Sequence, residues 1–156
     1  MSTTTREGTA RVQERDARVR PYRIVADRVQ RIGAIVGMAV CAVQVAFAAY
    51  GFWLGTEHAG DEAADRAAFV PHAITGQVLQ YLAVLLLICG LIAWAGWKSW
   101  VIPLVLAVLL FVVQGMLVGL GFGVNPWFGA LHAFDGMVIT GGFVWLTIDR
   151  VRHPLR

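Results

Sequence analysis

Two histidines with matched surroundings are the residues of this sequence whose type and spacing could do chemistry. Residues 72–76 (HAITG) and 132–136 (HAFDG) each begin with a histidine and end with a glycine one helical turn later. An imidazole near neutral pH can ligate a metal, carry a proton or hydrogen-bond through either nitrogen. His72 and His132 therefore predict a site assembled from two similar halves.

The histidine segments belong to a longer internal repeat. Gln44 lies seven residues before Gly51, and Gln114 lies seven residues before Gly121. The copies are offset by 70 residues at the glutamines (114 minus 44) and by 60 at the histidines (132 minus 72), so the second copy has a shorter connection. The pattern predicts two tandem helical hairpins, related by an axis along the membrane normal if the chain spans a bilayer.

The composition predicts that the hairpins lie in a membrane. Hydrophobic residues make up 58% of the 156 residues and charged residues 15%, against about 45–50% and about 25% in soluble domains. Four apolar runs reach the roughly 20 helical residues that cross a bilayer. They are Ile32–Leu54, Phe69–Trp97, Val101–Val124 and Trp127–Ile148. We predict an all-α integral membrane protein, a four-helix bundle within residues 21–150, in contact with the lipid bilayer.

The charges at the chain ends predict the orientation. Eight arginines precede Ile32, the connection Gly55–Ala68 carries four acids against Arg66 alone, and three arginines follow Ile148. By the positive-inside rule both termini are cytoplasmic, with 1–20 a mobile basic tail and 151–156 a short tail. Because the basic residues lie at the chain ends rather than on a folded patch, a nucleic-acid partner is excluded. Twelve arginines against one lysine favour a GC-rich bacterial genome, and hence a bacterial plasma membrane.

Both histidines are expected near the outer ends of their spans, at matched depth. The second and fourth spans are diagonal neighbours in a bundle of sequential antiparallel helices, so His72 and His132 can face each other across the core. Gly76 and Gly136 lie one turn deeper on the same helix faces and would leave a slot for a flat ligand. Thr75 and Asp135 occupy equivalent positions, three residues after each histidine. Either could orient an imidazole, or Asp135 could pair with Arg66.

A layer of polar side chains is expected near the middle of the membrane. Polar groups at that depth almost always face the bundle interior. One such residue falls in each span, and the four are Gln44, Gln80, Gln114 and Thr140. These residues indicate which helix faces look inward, and both histidines lie on those faces.

The sharpest hypothesis is a b-type haem with His72 and His132 as its two axial ligands. Haem iron takes imidazole ligands, and helical bundles supply them from facing helices. The function would be electron transfer or haem handling with a quinone or a membrane redox partner. Enzymatic hydrolysis is not indicated, because no nucleophile lies near a base and no phosphate-binding loop is present.

Two alternatives stay open at this point. The histidines of a structural or accessory subunit would only cap helices and hydrogen-bond across the bundle. A small transporter would use Gln44, Gln80, Gln114 and Asp135, since intramembrane ionisable groups are functional by default. A bare zinc or copper ion is less attractive, because two histidines supply half of a tetrahedral site.

The paired histidines resemble those of one half of heme A synthase, a family built from two four-helix bundles whose histidines ligate haem. The matching positions are His72 and His132, and the resemblance covers Ile32–Ile148. Phe69 stands where the catalytic half of that family has a glutamate, and the outer-loop cysteine pair of many members is absent. The resemblance therefore implies haem binding rather than haem oxidation. The size and the repeat are also similar to small four-span bacterial membrane proteins of unknown function.

Overall fold

A computed structural model describes residues 19–156, so all but the last two residues of the predicted N-terminal tail lie outside the described part. This part of the chain contains helices and no strand. The elements are α1 (Pro21–Glu57), α2 (Glu62–Ala68), α3 (Val70–Ala93), α4 (Lys98–Val108), a π-helical segment (Leu109–Val113), α5 (Gln114–Gly123) and α6 (Trp127–Arg152).

Four helical stretches are long and apolar enough to cross a membrane. They are Pro21–Glu57, Glu62–Ala93, Lys98–Gly123 and Trp127–Arg152, named the first to fourth spans below. Many large apolar side chains point away from the bundle, among them Tyr81, Val112 and Met137. A surface of this kind suits lipid, where helices satisfy every backbone hydrogen bond internally. The predicted multi-pass, all-α membrane bundle is confirmed.

The spans form a four-cornered bundle. Each span packs against the next in sequence, and the first also packs against the fourth. Within the described residues the second and fourth spans have no direct backbone contact, so they lie diagonally, as the sequence predicts. The apolar core contains Leu86, Leu106, Phe143 and Leu146, all almost fully buried. The tandem relationship between the two hairpins stays a prediction.

The ends of the helices follow local signals. Pro21 occupies the first turn of α1, where its missing N–H is not needed, and the helix runs on from there through the apolar run that begins at Ile32. The acidic connection after α1 contains a helix that the sequence analysis did not anticipate. Asp61 caps α2 by accepting hydrogen bonds from the N–H groups of Ala63 (2.9 Å) and Ala64 (3.1 Å).

Pro103 explains why the side chain of Gln30, in the first span, hydrogen-bonds to the second and third spans. Proline has no N–H, so the carbonyl of Ser99, four residues earlier, loses its helical donor. The Gln30 amide donates to that carbonyl and to the Leu86 carbonyl, the latter at 2.9 Å. Gly90 allows the approach, because a Cβ there would collide with the Ser99 carbonyl, whose carbon would lie only 2.6 Å away.

Candidate functional site

The two histidines meet at the end of the bundle that carries α2, called the histidine end below. His72 lies in the first turn of α3, and His132 lies in the second turn of α6. Their ring centroids are 6.2 Å apart and the ring planes are inclined by 62°. Both side chains are partly buried. Two imidazoles from diagonal helices therefore lie close together, as their matched depths predict.

The His72 ring is held by one residue of the first span. Its Nδ1 lies 3.2 Å from the Gln44 carbonyl oxygen, and its Nε2 lies 3.3 Å from the Gln44 amide nitrogen. These partners assign the proton to Nδ1, which donates to the carbonyl, while Nε2 accepts from the amide. The Thr75 hydroxyl donates to the Gln44 side-chain oxygen. Gln44 therefore positions His72 through both its backbone and its side chain.

The His132 ring is held less completely. Gln114 donates from its side-chain nitrogen to the His132 carbonyl oxygen (3.0 Å) and to Asp135 Oδ2 (2.8 Å), so it fixes the helix and not the ring. Nδ1 of His132 is buried and has no hydrogen-bond partner among residues 19–156. In both copies of the repeat, the glutamine hydrogen-bonds to the residue three positions after the histidine: Gln44 to Thr75, and Gln114 to Asp135. Only in the first half does it also bind the imidazole.

Two expectations about the neighbours need correction. Arg66 is exposed and pairs with Glu62 at 3.6 Å, so the alternative in which it pairs with Asp135 is not realised. Asp135 is 8% exposed and bonds to Gln114 instead. The two glycines also differ from each other. A Cβ on Gly136 would meet no described atom within 4 Å, whereas one on Gly76 would lie 3.2 Å from the Gln44 amide nitrogen.

The deeper polar residues have two kinds of partner. Gln80 donates to the Leu110 carbonyl at 3.0 Å, inside the π-helical segment of the third span. Thr140 donates to the Gly136 carbonyl of its own helix at 2.8 Å. Gln44 and Gln114 bond across to the second and fourth spans, as described above. Three of the four predicted polar residues therefore donate hydrogen bonds to neighbouring spans, whereas Thr140 donates to its own helix and lies within hydrogen-bond reach of the Cys41 thiol of the first span.

The spacing of the two imidazoles can be compared with the spacing that axial ligation of a haem would need. Metal–imidazole bonds of about 2.0–2.1 Å put the centroids of two coaxial rings about 6 Å apart. The observed centroids are 6.2 Å apart, in the edge-to-face arrangement that packed aromatic rings also adopt. The open space at Gly136 leaves room along α6, whereas the Gln44 side chain fills the equivalent space along α3. A porphyrin would therefore require that side chain to turn aside. Residues 19–156 contain no group of three or more His, Cys, Asp or Glu placed to hold a metal ion, so a bare metal site fits less well.

A second polar cluster lies at the opposite end, where both termini of the bundle meet. Arg150 is 2% exposed and pairs with Asp27 at 3.2 Å and with Asp149. It also donates to the Ala95 carbonyl at 3.3 Å, and Asp27 accepts from the Leu155 N–H at 3.1 Å. We name Asp27, Asp149 and Arg150 the ion cluster. It joins the first and fourth spans to the connection between the second and third.

The sequence analysis did not find the ion cluster. It counted Arg150 only among the basic residues at the chain ends. A further arginine at this end, Arg23, donates to the carbonyls of Ala93 (2.9 Å) and Trp94 (3.1 Å), at the C-terminal end of α3. The partners Asp27 and Arg150 are 123 residues apart, and no local pattern in the sequence relates them.

Comparison of the chain with protein-family models, with curated proteins and with solved structures finds no match. A fold of this kind hosts many functions, so function has to be inferred from the residues of the site.

Proposed function

We propose that this multi-pass membrane protein binds one b-type haem between His72 and His132, in a bacterial plasma membrane with both termini cytoplasmic. The observation that carries the proposal is the pair of imidazoles from diagonal helices, 6.2 Å apart between ring centroids. Helical bundles build cofactor sites from side chains on facing helices. The histidine end would face outward.

The surrounding residues would prepare the two ligands. The Gln44 carbonyl accepts from His72 Nδ1, which leaves Nε2 as the nitrogen that would ligate a metal once the Gln44 amide, which now donates to it, turns aside. The hydrogen bonds of Gln114 to His132 and Asp135 hold this part of α6 against the third span. Gly136 keeps the space beside α6 open. A bound haem would supply a one-electron carrier, serving a quinone or a membrane redox partner.

A purely structural role leaves one cost at the histidine end unexplained. A buried polar atom without a partner costs about 1–3 kcal/mol, and His132 Nδ1 is one of three such side-chain atoms among the described residues, with Gln30 Oε1 and Thr147 Oγ1. A sequence selected only for packing would gain stability from an apolar side chain there. A ligand that engages the imidazole gives a reason for the histidine.

The test is a dithionite-reduced minus oxidised visible spectrum of the protein purified from haem-replete membranes. We expect sharp low-spin bands that disappear in His72→Ala and in His132→Ala. His58→Ala and His153→Ala are matched controls, because both residues are exposed and lie outside the site. They should leave the spectrum unchanged. A flat spectrum from folded wild-type protein at full yield would contradict haem binding.

A second variant tests whether the Gln44 side chain obstructs a haem on the α3 side of the site. Gln44→Ala keeps the backbone carbonyl that accepts from His72 but removes the amide that fills the space beside Gly76. We expect haem occupancy to rise or hold. Gln80→Ala, which removes an amide deeper in the bundle, is the control and should not raise occupancy. Loss of haem in Gln44→Ala would mean that the amide supports the site rather than competing for it.

A further inference from the structure

A groove on the outside of the bundle, between the third and fourth spans, is a candidate site separate from the histidines. Its volume is about 300 Å³, and its walls are almost entirely apolar. Residues along it include Trp97, Val101, Val105, Val138, Gly141 and Trp145. Small-molecule sites hold about 300–1,000 Å³, so this groove suits a slender apolar group such as one acyl chain. Gly141 leaves one wall open, because a Cβ there would meet no described atom within 4 Å.

A cation lies at the terminal end of this groove. The Lys98 ammonium is 5.9 Å from the ring centroid of Trp97 and 5.9 Å from that of Trp145, two residues that line the groove. The Lys98 side chain is 40% exposed. Tryptophan and lysine together are typical of the level at which a membrane changes from acyl chains to headgroups. The apolar groove therefore ends where a lipid phosphate would lie.

The Lys98 ammonium has one long ion pair with the protein. It lies 3.8 Å from Asp149 Oδ1, while Oδ2 of the same carboxylate accepts from Arg150 Nε at 3.1 Å and from a second nitrogen of that guanidinium. The Lys98 side chain is still 40% exposed, so its ammonium can also meet an anion from outside the bundle. Helix α4 begins at Lys98, so the positive end of its dipole adds to the same potential. An anion at this position would find both a cation and a helix N-terminus.

We propose that the groove binds an anionic phospholipid of the surrounding leaflet. One acyl chain lies between Trp97 and Trp145 along Gly141, and the phosphate lies at the Lys98 ammonium. A second copy of the chain suits the groove less well. Isologous pairing of this face about an axis along the membrane normal would bring two Lys98 side chains together at the same depth.

The test is native mass spectrometry of the purified protein with dioleoyl phosphatidylglycerol or dioleoyl phosphatidylcholine, which share their acyl chains. We expect phosphatidylglycerol to be retained about fivefold more, the effect of one cation on an anionic lipid. Lys98→Gln should remove this preference. Arg28→Gln, which removes an exposed cation of the first span at the same end, is the control and should preserve it. Equal retention of both lipids by the wild type, or an unchanged preference in Lys98→Gln, would overturn the proposal.

A second pair of variants tests the acyl-chain part of the site. Gly141→Leu fills the groove without meeting a described atom at its Cβ, and it should reduce retention of both lipids. Gly115→Leu is the matched control, because Gly115 is an exposed glycine of the third span with equally open space. It should bind as the wild type does. Dimers that form without lipid and disappear in Gly141→Leu would instead identify the groove as a self-association face and overturn lipid binding.

Discussion

The histidine end and the ion cluster are both polar sites in an apolar bundle, yet their polar groups are satisfied to different extents. In the ion cluster, Asp27 and Arg150 are 1% and 2% exposed, and each carboxylate faces a guanidinium. At the histidine end the imidazoles are only partly buried, and His132 Nδ1 has no partner among the described residues. The charged groups of the ion cluster therefore find their partners within the described residues, whereas one nitrogen of the histidine end does not.

Removing a side chain should lower the free energy of unfolding more at the ion cluster than at the histidine end. Removing one member of a buried ion pair leaves its partner charged and desolvated, which is strongly destabilising. Removing one neutral hydrogen bond between membrane helices costs far less, on average about 0.6 kcal/mol. The comparison therefore predicts large stability effects at the ion cluster and small ones at the histidine end.

The largest effect is expected for Arg150→Met. It leaves the buried Asp27 and Asp149 without their shared guanidinium, which should lower the free energy of unfolding by about 3–5 kcal/mol. Unfolding in mixed micelles with increasing denaturing detergent measures this. Arg152→Met is the control, because Arg152 is exposed at the same helix end and should change stability by less than about 0.5 kcal/mol. Similar losses in both variants would mean that the ion cluster does not stabilise the bundle.

Gly90→Ala should come next, with a loss of up to about 3 kcal/mol from overpacking. The added Cβ would collide with the backbone carbonyl of Ser99, which cannot rotate away as a side chain can. The same unfolding measurement applies. Gly119→Ala, where no described atom lies within 4 Å of the Cβ, should be unchanged or slightly more stable. If Gly90→Ala unfolds as the wild type does, the close contact between the second and third spans is not required.

Gln114→Leu should have an intermediate effect, of about 1–2 kcal/mol. It removes a donor to the buried Asp135 carboxyl, and unsatisfied buried groups of this kind are costly. The comparison variant is Gln44→Leu, whose partners His72 and Thr75 carry no carboxyl. It should cost less. The reverse order of stabilities would show that the Asp135 carboxyl does not depend on Gln114.

Thr75→Val should have the smallest effect, about 0.6 kcal/mol. The hydroxyl donates to the Gln44 side chain, and its alternative acceptors are carbonyls of its own helix. Thr147→Val is the control, since the Thr147 hydroxyl has no hydrogen-bond partner among the described residues, and it should be neutral or slightly stabilising. If Thr75→Val costs as much as Arg150→Met, the distinction between the two ends of the bundle would be wrong.

Much of the architecture could be predicted from the sequence because it depends on local properties. The hydropathy of about 20 consecutive residues decides whether a segment can span a membrane, and only helices or closed barrels satisfy the backbone there. Short connections then make consecutive spans antiparallel neighbours, which places the second and fourth diagonally. The proximity of His72 and His132 follows from that arrangement and from their matched depths. Their role as haem ligands stays a prediction.

Side-chain partners could not be predicted in the same way. The sequence placed Gly76 and Gly136 in equivalent positions, yet only the packing of Gln44 decides that one is closed and the other open. It also placed Thr75 and Asp135 in equivalent positions, and both bond to a glutamine of the preceding span. His72 hydrogen-bonds through both ring nitrogens, whereas His132 Nδ1 has no partner among the described residues. This difference depends on ångström-scale differences in helix packing.

The sequence by itself determined the membrane class, the four spans, the depth of the histidines and the positive charge of the chain ends, because each depends on residues close together in the chain. Only the tertiary structure decided that Arg150 is buried between Asp27 and Asp149, and that Gln30 replaces the donor that Pro103 removes from Ser99. These partners are separated by up to 123 residues. Contacts of that separation are set by the packing of whole helices, for which a local sequence pattern carries no signal.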